Sequence, residues 1–123
     1  MKTSFDFPNC EWIGYEEDIV SLLERTDAVV LPSYYREGVP HCLIEALAAS
    51  KPIITTDMAG CREVIHENGI LIQPKDSNAL FRAMLKMVNS NKLKNWSKDS
   101  FKQASKFDIN LVNQQTLLVY GIN

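Results

Sequence analysis

The chain has 123 residues, enough for one domain with its own core and too few for a two-domain enzyme. Hydrophobic residues make up 46% and charged residues 23%, an ordinary globular balance. With no long apolar run and no signal-peptide pattern, a membrane-spanning helix is excluded and a cytoplasmic protein is expected. The net charge of −2 hides an asymmetry: residues 1–75 carry 6 Lys/Arg against 12 Asp/Glu, and residues 76–123 carry 7 against 3. No nucleic-acid partner is expected. Cys10, Cys42 and Cys61 are an odd number without CxxC spacing, so neither a disulfide framework nor a zinc cage is suggested.

In chain order, Trp12–Gly14 is a brief apolar run closed by glycine and reads as a short strand. Ile19, Leu22 and Leu23 then recur at helical spacing in "YEEDIVSLLERTD". "DAVVLPS" is a continuous apolar run stopped by Pro32 and Ser33, the pattern of a strand buried on both faces in a parallel sheet. A Gly/Pro loop and a helix from about His41 to Ser50 follow, and Lys51 and Pro52 lead into "IITTD", a second buried strand. "MAGCREVI" holds a helical turn after Gly60, and Asn68–Gly69 make a tight turn before a strand from Ile70 to Gln73 that Pro74 ends. Asp76 and Ser77 cap a helix running to about Asn89, with Leu80, Met84 and Val88 as its apolar stripe. Two further helices are expected in "NWSKDSFKQASKF", capped by Ser97, and in "DINLVNQQTLLVYG", capped by Asp108 and stopped by Gly121.

Strand alternating with helix predicts a Rossmann-like α/β layer: a parallel sheet with crossover helices, and a helical tail over residues 91–123 of one domain, 1–123. Ligands of such sheets sit where strands turn into helices, at the carboxyl edge. The loop after "VVLPS" occupies that place. Its helix start offers backbone N–H donors from Gly38 to Leu43 (Gly38, Val39, His41, Cys42, Leu43), with Pro40 presetting the turn, and such a helix start attracts phosphate or sugar oxygens.

Two glutamates flank that helix start, Glu37 in the loop and Glu45 in the helix. As an acid/base pair they fit a glycosidase poorly. A continuous helix would separate their Cα atoms by roughly 12 Å, whereas hydrolases hold the two carboxyls about 5 to 9.5 Å apart. A fold-back at Glu37 would shorten the gap. Two acceptor-only carboxylates gripping separate hydroxyl sets of one elongated ligand, such as a nucleotide sugar, fit better. A solvated loop residue and an ordinary helix residue remain the bland alternative. His41 beside Cys42 is a weak nucleophile–base pair, because neighbours in a helix start point to different faces, and Cys42 is expected to pack on the sheet. Arg62 with Glu63 reads as a surface pair, His66 as a turn residue, and Trp96, Phe101 and Tyr120 as helix packing. No GxGxxG follows a strand, which disfavours a dinucleotide-binding domain. Six lysines from Lys86 to Lys106 are expected as a solvated face, the alternative being a contact for anionic lipid, nucleic acid or an acidic partner surface; contact with lipid would put the chain peripherally at the inner face of a membrane.

The run "DAVVLPSYYREGVPHCLIEALAASKPIITTDMAGCREVIHENGILIQP", Asp27–Pro74, resembles the carboxyl-terminal donor-binding domain of GT-B retaining glycosyltransferases of the family 4 (group 1) type. Four features carry the likeness in order: the strand ending in Pro32 and Ser33, E-x7-E from Glu37 to Glu45, "KPIITTD", and "GCREVI" followed by "NGILI". "DSNALFRAML" resembles the family's next helix, and Phe107 its aromatic before the last one. By this resemblance Glu45 holds the ribose hydroxyls, and Glu37 lies by the donor hexose as the catalytic-site glutamate. The amides of Gly38–Leu43 contact sugar and diphosphate, and Ser33 and Tyr34 shape the pocket. The resemblance implies sugar transfer with retention from a UDP- or GDP-linked donor in polysaccharide or lipopolysaccharide biosynthesis, with no other cofactor and no metal, consistent with the lack of Asp-x-Asp. It also implies an amino-terminal acceptor domain, and two strands and a diphosphate-neutralising Arg/Lys pair ahead of Trp12, none of which is in the sequence. The chain is therefore expected to need that domain or a second copy at its exposed sheet edge, and to be inactive alone; a catalytically silent nucleotide-sugar-binding or assembly module is the alternative.

Overall fold

The computed structural model describes residues 8–34 and 38–107. Helix α1 (Ile19–Glu24) leads to β1 (Val29–Leu31), α2 (His41–Ala48) to β2 (Ile53–Thr56), and a 3-10 turn (Arg62–Val64) to β3 (Gly69–Ile72). Helices α3 (Ser77–Val88) and α4 (Leu93–Ala104) and a second 3-10 turn (Ser105–Phe107) complete the described chain. The expected helix in "DINLVNQQTLLVYG", with Asp108, Tyr120 and Gly121, lies outside the described residues.

The three strands pair in parallel in the order β1-β2-β3, the arrangement the strand–helix alternation predicts. Every residue of β2 is buried, because it is hydrogen-bonded on both edges and covered on both faces. Its side chains alternate as pleating requires. Ile53 packs into one cluster with Leu43, Leu47, Cys61 and Val64 beneath α2 and α4, and Ile54 into another with Ile72, Ala83 and Met87 beneath α3. Each fully buried leucine or isoleucine here contributes about 1.5–3 kcal/mol.

Several local expectations change. Trp12–Gly14 forms no strand: Gly14 turns left-handed at φ +66°, and Trp12 and Ile13 are 57% and 48% exposed. β1 is not buried on both faces: it is an edge strand, Val29 and Leu31 are only partly buried, and Val30 stands at the surface. On α3 the inward residues are Ala79, Leu80, Ala83 and Met87, while Met84 and Val88 face solvent. Steps of four residues advance about 40° around a helix, so a 80-84-88 row drifts off the sheet whereas 80-83-87 stays on it. Helix α4 starts four residues before Ser97, with Lys92 at its cap. Phe101 is exposed rather than packed, whereas Trp96 packs against the α3-side cluster as expected. Arg62 pairs with Asp57 at 2.8 Å instead of with Glu63.

A polar node fastens α4 to the amino ends of the strands. Asn68 is fully buried; its side-chain amide donates to the Val64 carbonyl and to Ser100 Oγ, and its oxygen accepts the His66 amide. Ser100 Oγ in turn donates to the Lys51 carbonyl at 2.7 Å. Alongside, Asp99 accepts from the Glu67 amide and sits 3.2 Å from His66 Nδ1. Desolvation pulls the Asp99 carboxyl up, but these hydrogen bonds, with that from Gln103, outweigh it and hold it below the ordinary range.

Gly69 is required by close approach more than by a turn. It begins β3 opposite Ile53, where a Cβ would lie 1.8 Å from the Ile53 carbonyl oxygen. At the other end of β2, the Thr55 and Thr56 hydroxyls donate to the carbonyls of Leu31 and Ser33, clipping the chain as it leaves β1. Two stability predictions follow from these contacts. Gly69→Ala should cost about 3 kcal/mol or more by forcing β2 and β3 apart, read as a lower denaturant midpoint. Thr56→Val, which keeps shape but loses the hydroxyl, should cost about 1 kcal/mol.

Candidate functional site

Because the strands are parallel, their carboxyl ends meet at one edge, and the segments leaving them build the site. Pro32, Ser33 and Tyr34 follow β1, Thr56 ends β2, and Gln73 to Lys75 follow β3 and enter α3. A cleft of about 320 Å³ opens here, lined among others by Pro32, Tyr34, Thr56, Gln73, Lys75 and Ser77. A larger groove of about 590 Å³ lies at the opposite edge, lined by Glu67, Lys92, Trp96, Lys98, Asp99 and Lys102. The carboxyl edge is the better candidate, because a helix start and the free ends of three parallel strands converge there. In the larger groove the Asp99 carboxylate is already engaged by Glu67, His66 and Gln103.

Helix α2 begins at this edge. Pro40 caps it in extended geometry (φ −63°, ψ 135°) with no side-chain cap, and its carbonyl accepts the Leu43 and Ile44 amides. The amides of His41 and Cys42 precede the first donor of the ladder, Leu43, so the helix does not use them. Leu43, Ile44, Ala46 and Leu47 are buried, which leaves His41, Cys42 and Glu45 together on the outer face. Gly38 is exposed with open space around its Cα, and Val39 packs against the α2-side cluster.

Glu45 stands one turn into α2, half-buried. Desolvation pushes its carboxyl above the ordinary glutamate value, and the nearby His41 only partly offsets this. A partly desolvated carboxylate on the outer face of α2 suits hydroxyl donors. Cys42 does not pack on the sheet; it is exposed in the first turn, on the face away from Leu43 and Leu47. Its thiol is pushed up by desolvation first and by the Glu45 charge next, so it stays protonated at neutral pH and is a poor nucleophile.

Of the residues expected from sequence, Ser33, Tyr34, Gly38, Val39 and Pro40 lie in the segment joining β1 to α2, and His41, Cys42, Leu43 and Glu45 in the first turns of α2; the Leu43 amide, expected as a free donor, is taken by the Pro40 carbonyl, and its side chain enters the core. Glu37, with Tyr35 and Arg36, lies outside the described residues. Thr56 and Lys75 were not foreseen: a buried strand threonine and a lysine in a Pro-Lys-Asp turn carry no motif. Among the described residues no group of three His, Cys, Asp or Glu is placed to hold a metal ion, and no helix is long and apolar enough to cross a membrane.

Residues 8–103 match the family model described as glycosyl transferases group 1. The N,N'-diacetylbacillosaminyl-diphospho-undecaprenol alpha-1,3-N-acetylgalactosaminyltransferase of Campylobacter jejuni is 34% identical over 112 residues, covering 89% of this chain and 30% of its own length. The UDP-Gal:alpha-D-GlcNAc-diphosphoundecaprenol alpha-1,3-galactosyltransferase of Escherichia coli is 29% identical over 89 residues, covering 71% of this chain and 23% of its own length. Among solved structures, Anabaena Alr3699/HepE in complex with UDP superposes with a TM-score of 0.70 at 25% identity, over 89% of this chain and 31% of that one. The chain thus spans less than a third of the length of each of these proteins. Its sheet and helices have the architecture of GT-B glycosyltransferases, and on the family match the chain belongs to the group 1 glycosyl transferases.

Proposed function

We propose that this chain is the donor-binding part of a retaining sugar transferase, taking a hexose from a UDP- or GDP-linked donor for polysaccharide or lipopolysaccharide assembly. The observation that carries the proposal is the placement of Glu45, half-buried on the outer face of α2, one turn behind a helix start that opens at the carboxyl edge of the sheet. The UDP held by the Anabaena neighbour and the diphospho-undecaprenol-linked sugars in the names of the two relatives support the class of donor and the biosynthetic setting.

In this reading the Glu45 carboxylate accepts hydrogen bonds from the ribose hydroxyls, and the amides at the start of α2 face the diphosphate, aided by the helix dipole. Glu37 lies beside the hexose. Transfer breaks the bond between the anomeric carbon and the diphosphate oxygen and forms one from that carbon to an acceptor hydroxyl on the same face. The diphosphate leaves with the bonding electron pair, and the acceptor proton is lost. The acceptor pocket would come from a further domain or from a second copy, so the chain by itself is expected to bind donor without turning it over.

Calorimetric titration with UDP and GDP tests the donor role. Glu45→Gln should weaken binding by about tenfold to a hundredfold, the worth of hydrogen bonds to a charged acceptor; unchanged affinity would remove Glu45 from the site. Because ribose hydroxyls favour the ionised carboxylate, wild-type affinity should also fall as pH drops through the raised Glu45 value, a window above 4.5. Stability runs the other way. A carboxyl raised in the folded state favours folding below its unfolded value, and that contribution is lost as pH rises through the folded value. Glu45→Gln should therefore be at least as stable as wild type at neutral pH while binding nucleotide less well.

A further inference from the structure

Lys75 lies outside every motif that identifies the family, yet its ammonium sits 4.8 Å from the centre of the Tyr34 ring. Tyr34 follows β1 and Lys75 follows β3, so the contact spans the cleft at the carboxyl edge, across the end of β2. Lys75 also adopts a left-handed backbone at φ +59°, a conformation that strains a residue with a Cβ and costs glycine almost nothing. Immediately after it, Asp76 caps α3 by accepting the Ala79 amide at 2.9 Å. The backbone that holds the lysine is thereby pinned to a helix of twelve residues.

The segment leaving β1 is thus tied at two points. At its base the Thr56 hydroxyl donates to the Ser33 carbonyl. One residue on, the Tyr34 ring lies under the Lys75 ammonium. The other described cation at this edge, Arg62, is engaged by Asp57 at 2.8 Å and by the Asp57 carbonyl.

We propose that Lys75 is a positioning residue for the donor site: by its cation–π contact with Tyr34 it fixes Ser33 and Tyr34 where the chain leaves β1, and so the wall that these two residues give the cleft at the carboxyl edge. This rests on the donor-binding reading for its consequence, and on the geometry alone for the contact. A left-handed lysine where glycine would be less strained is what such a role requires, since only a side chain can reach Tyr34.

The test uses the full chain, labelled with nitrogen-15, in six variants. Lys75→Met and Tyr34→Leu should each lower the heteronuclear NOE of the Ser33 and Tyr34 amides, and the double variant should do no more than either. Lys75→Arg and Tyr34→Phe, which keep cation and ring, should leave these values at wild type. Lys75→Gly should loosen the same amides while leaving the melting temperature level or higher, which separates positioning from a general loss of fold. UDP affinity should fall about two- to fivefold in Lys75→Met, the worth of an exposed cation–π pair, and return in Lys75→Arg. Unchanged NOE values in Lys75→Met and Tyr34→Leu would overturn the proposal, as would an effect on UDP that Lys75→Arg fails to restore. If the NOE pattern is as expected but the wild-type chain shows no UDP binding, the strut stands and the donor reading falls.

Discussion

The structure depends on one strand buried on all sides. β2 is hydrogen-bonded to β1 and β3 and sandwiched between α2 with α4 on one face and α3 on the other. Such a strand must be apolar or internally satisfied along its whole length, because water reaches none of it. Ile53 and Ile54 meet the first condition by facing opposite clusters. Thr55 and Thr56 meet the second by donating their hydroxyls to Leu31 and Ser33. That second solution links core to site: burial forces the threonines to find acceptors, and the nearest ones lie where the chain leaves β1. The same strand begins opposite Gly69, where only a missing side chain lets β3 approach.

The carboxyl edge is built at some expense to stability. Glu45 is half-buried with its ionised form disfavoured, and Lys75 holds a left-handed backbone. Neither is what stability alone would select at its position. The opposite edge shows the reverse logic. Asn68, Ser100 and Asp99 find partners within the protein, and the Asp99 carboxyl is held low by them. At this edge the partners come from α4 and the turn before β3, which agrees with α4 acting as a clamp on the amino ends of the strands.

Much of this was legible in the sequence because parallel strands announce themselves as short apolar runs: "VVL", "IITT" and "GILI" each became a strand within a residue or so of the expected bounds. The start of α2 was legible from Pro40, and the Asp76 cap from its place before an apolar stripe. Trp12–Gly14 failed because three apolar residues do not make a strand without a neighbour to pair with, and Gly14 turns the chain away. The α3 stripe was misread because a row in steps of four drifts around the helix. Lys75 and Thr56 were not visible at all, since each matters through a partner some forty or twenty-odd positions away, and spacing within one element carries no trace of such contacts. The family resemblance located Glu45, while its half-buried state came only with the packing of α2.

The central claim is that the carboxyl edge binds the nucleotide. Mapping amide shifts of the nitrogen-15-labelled chain during titration with UDP tests it most directly. The perturbed amides should cluster at Ser33, Tyr34 and Gly38 to Glu45. Shifts gathered instead on Glu67, Lys92, Trp96, Lys98 and Lys102, in the larger groove at the far edge, would contradict it.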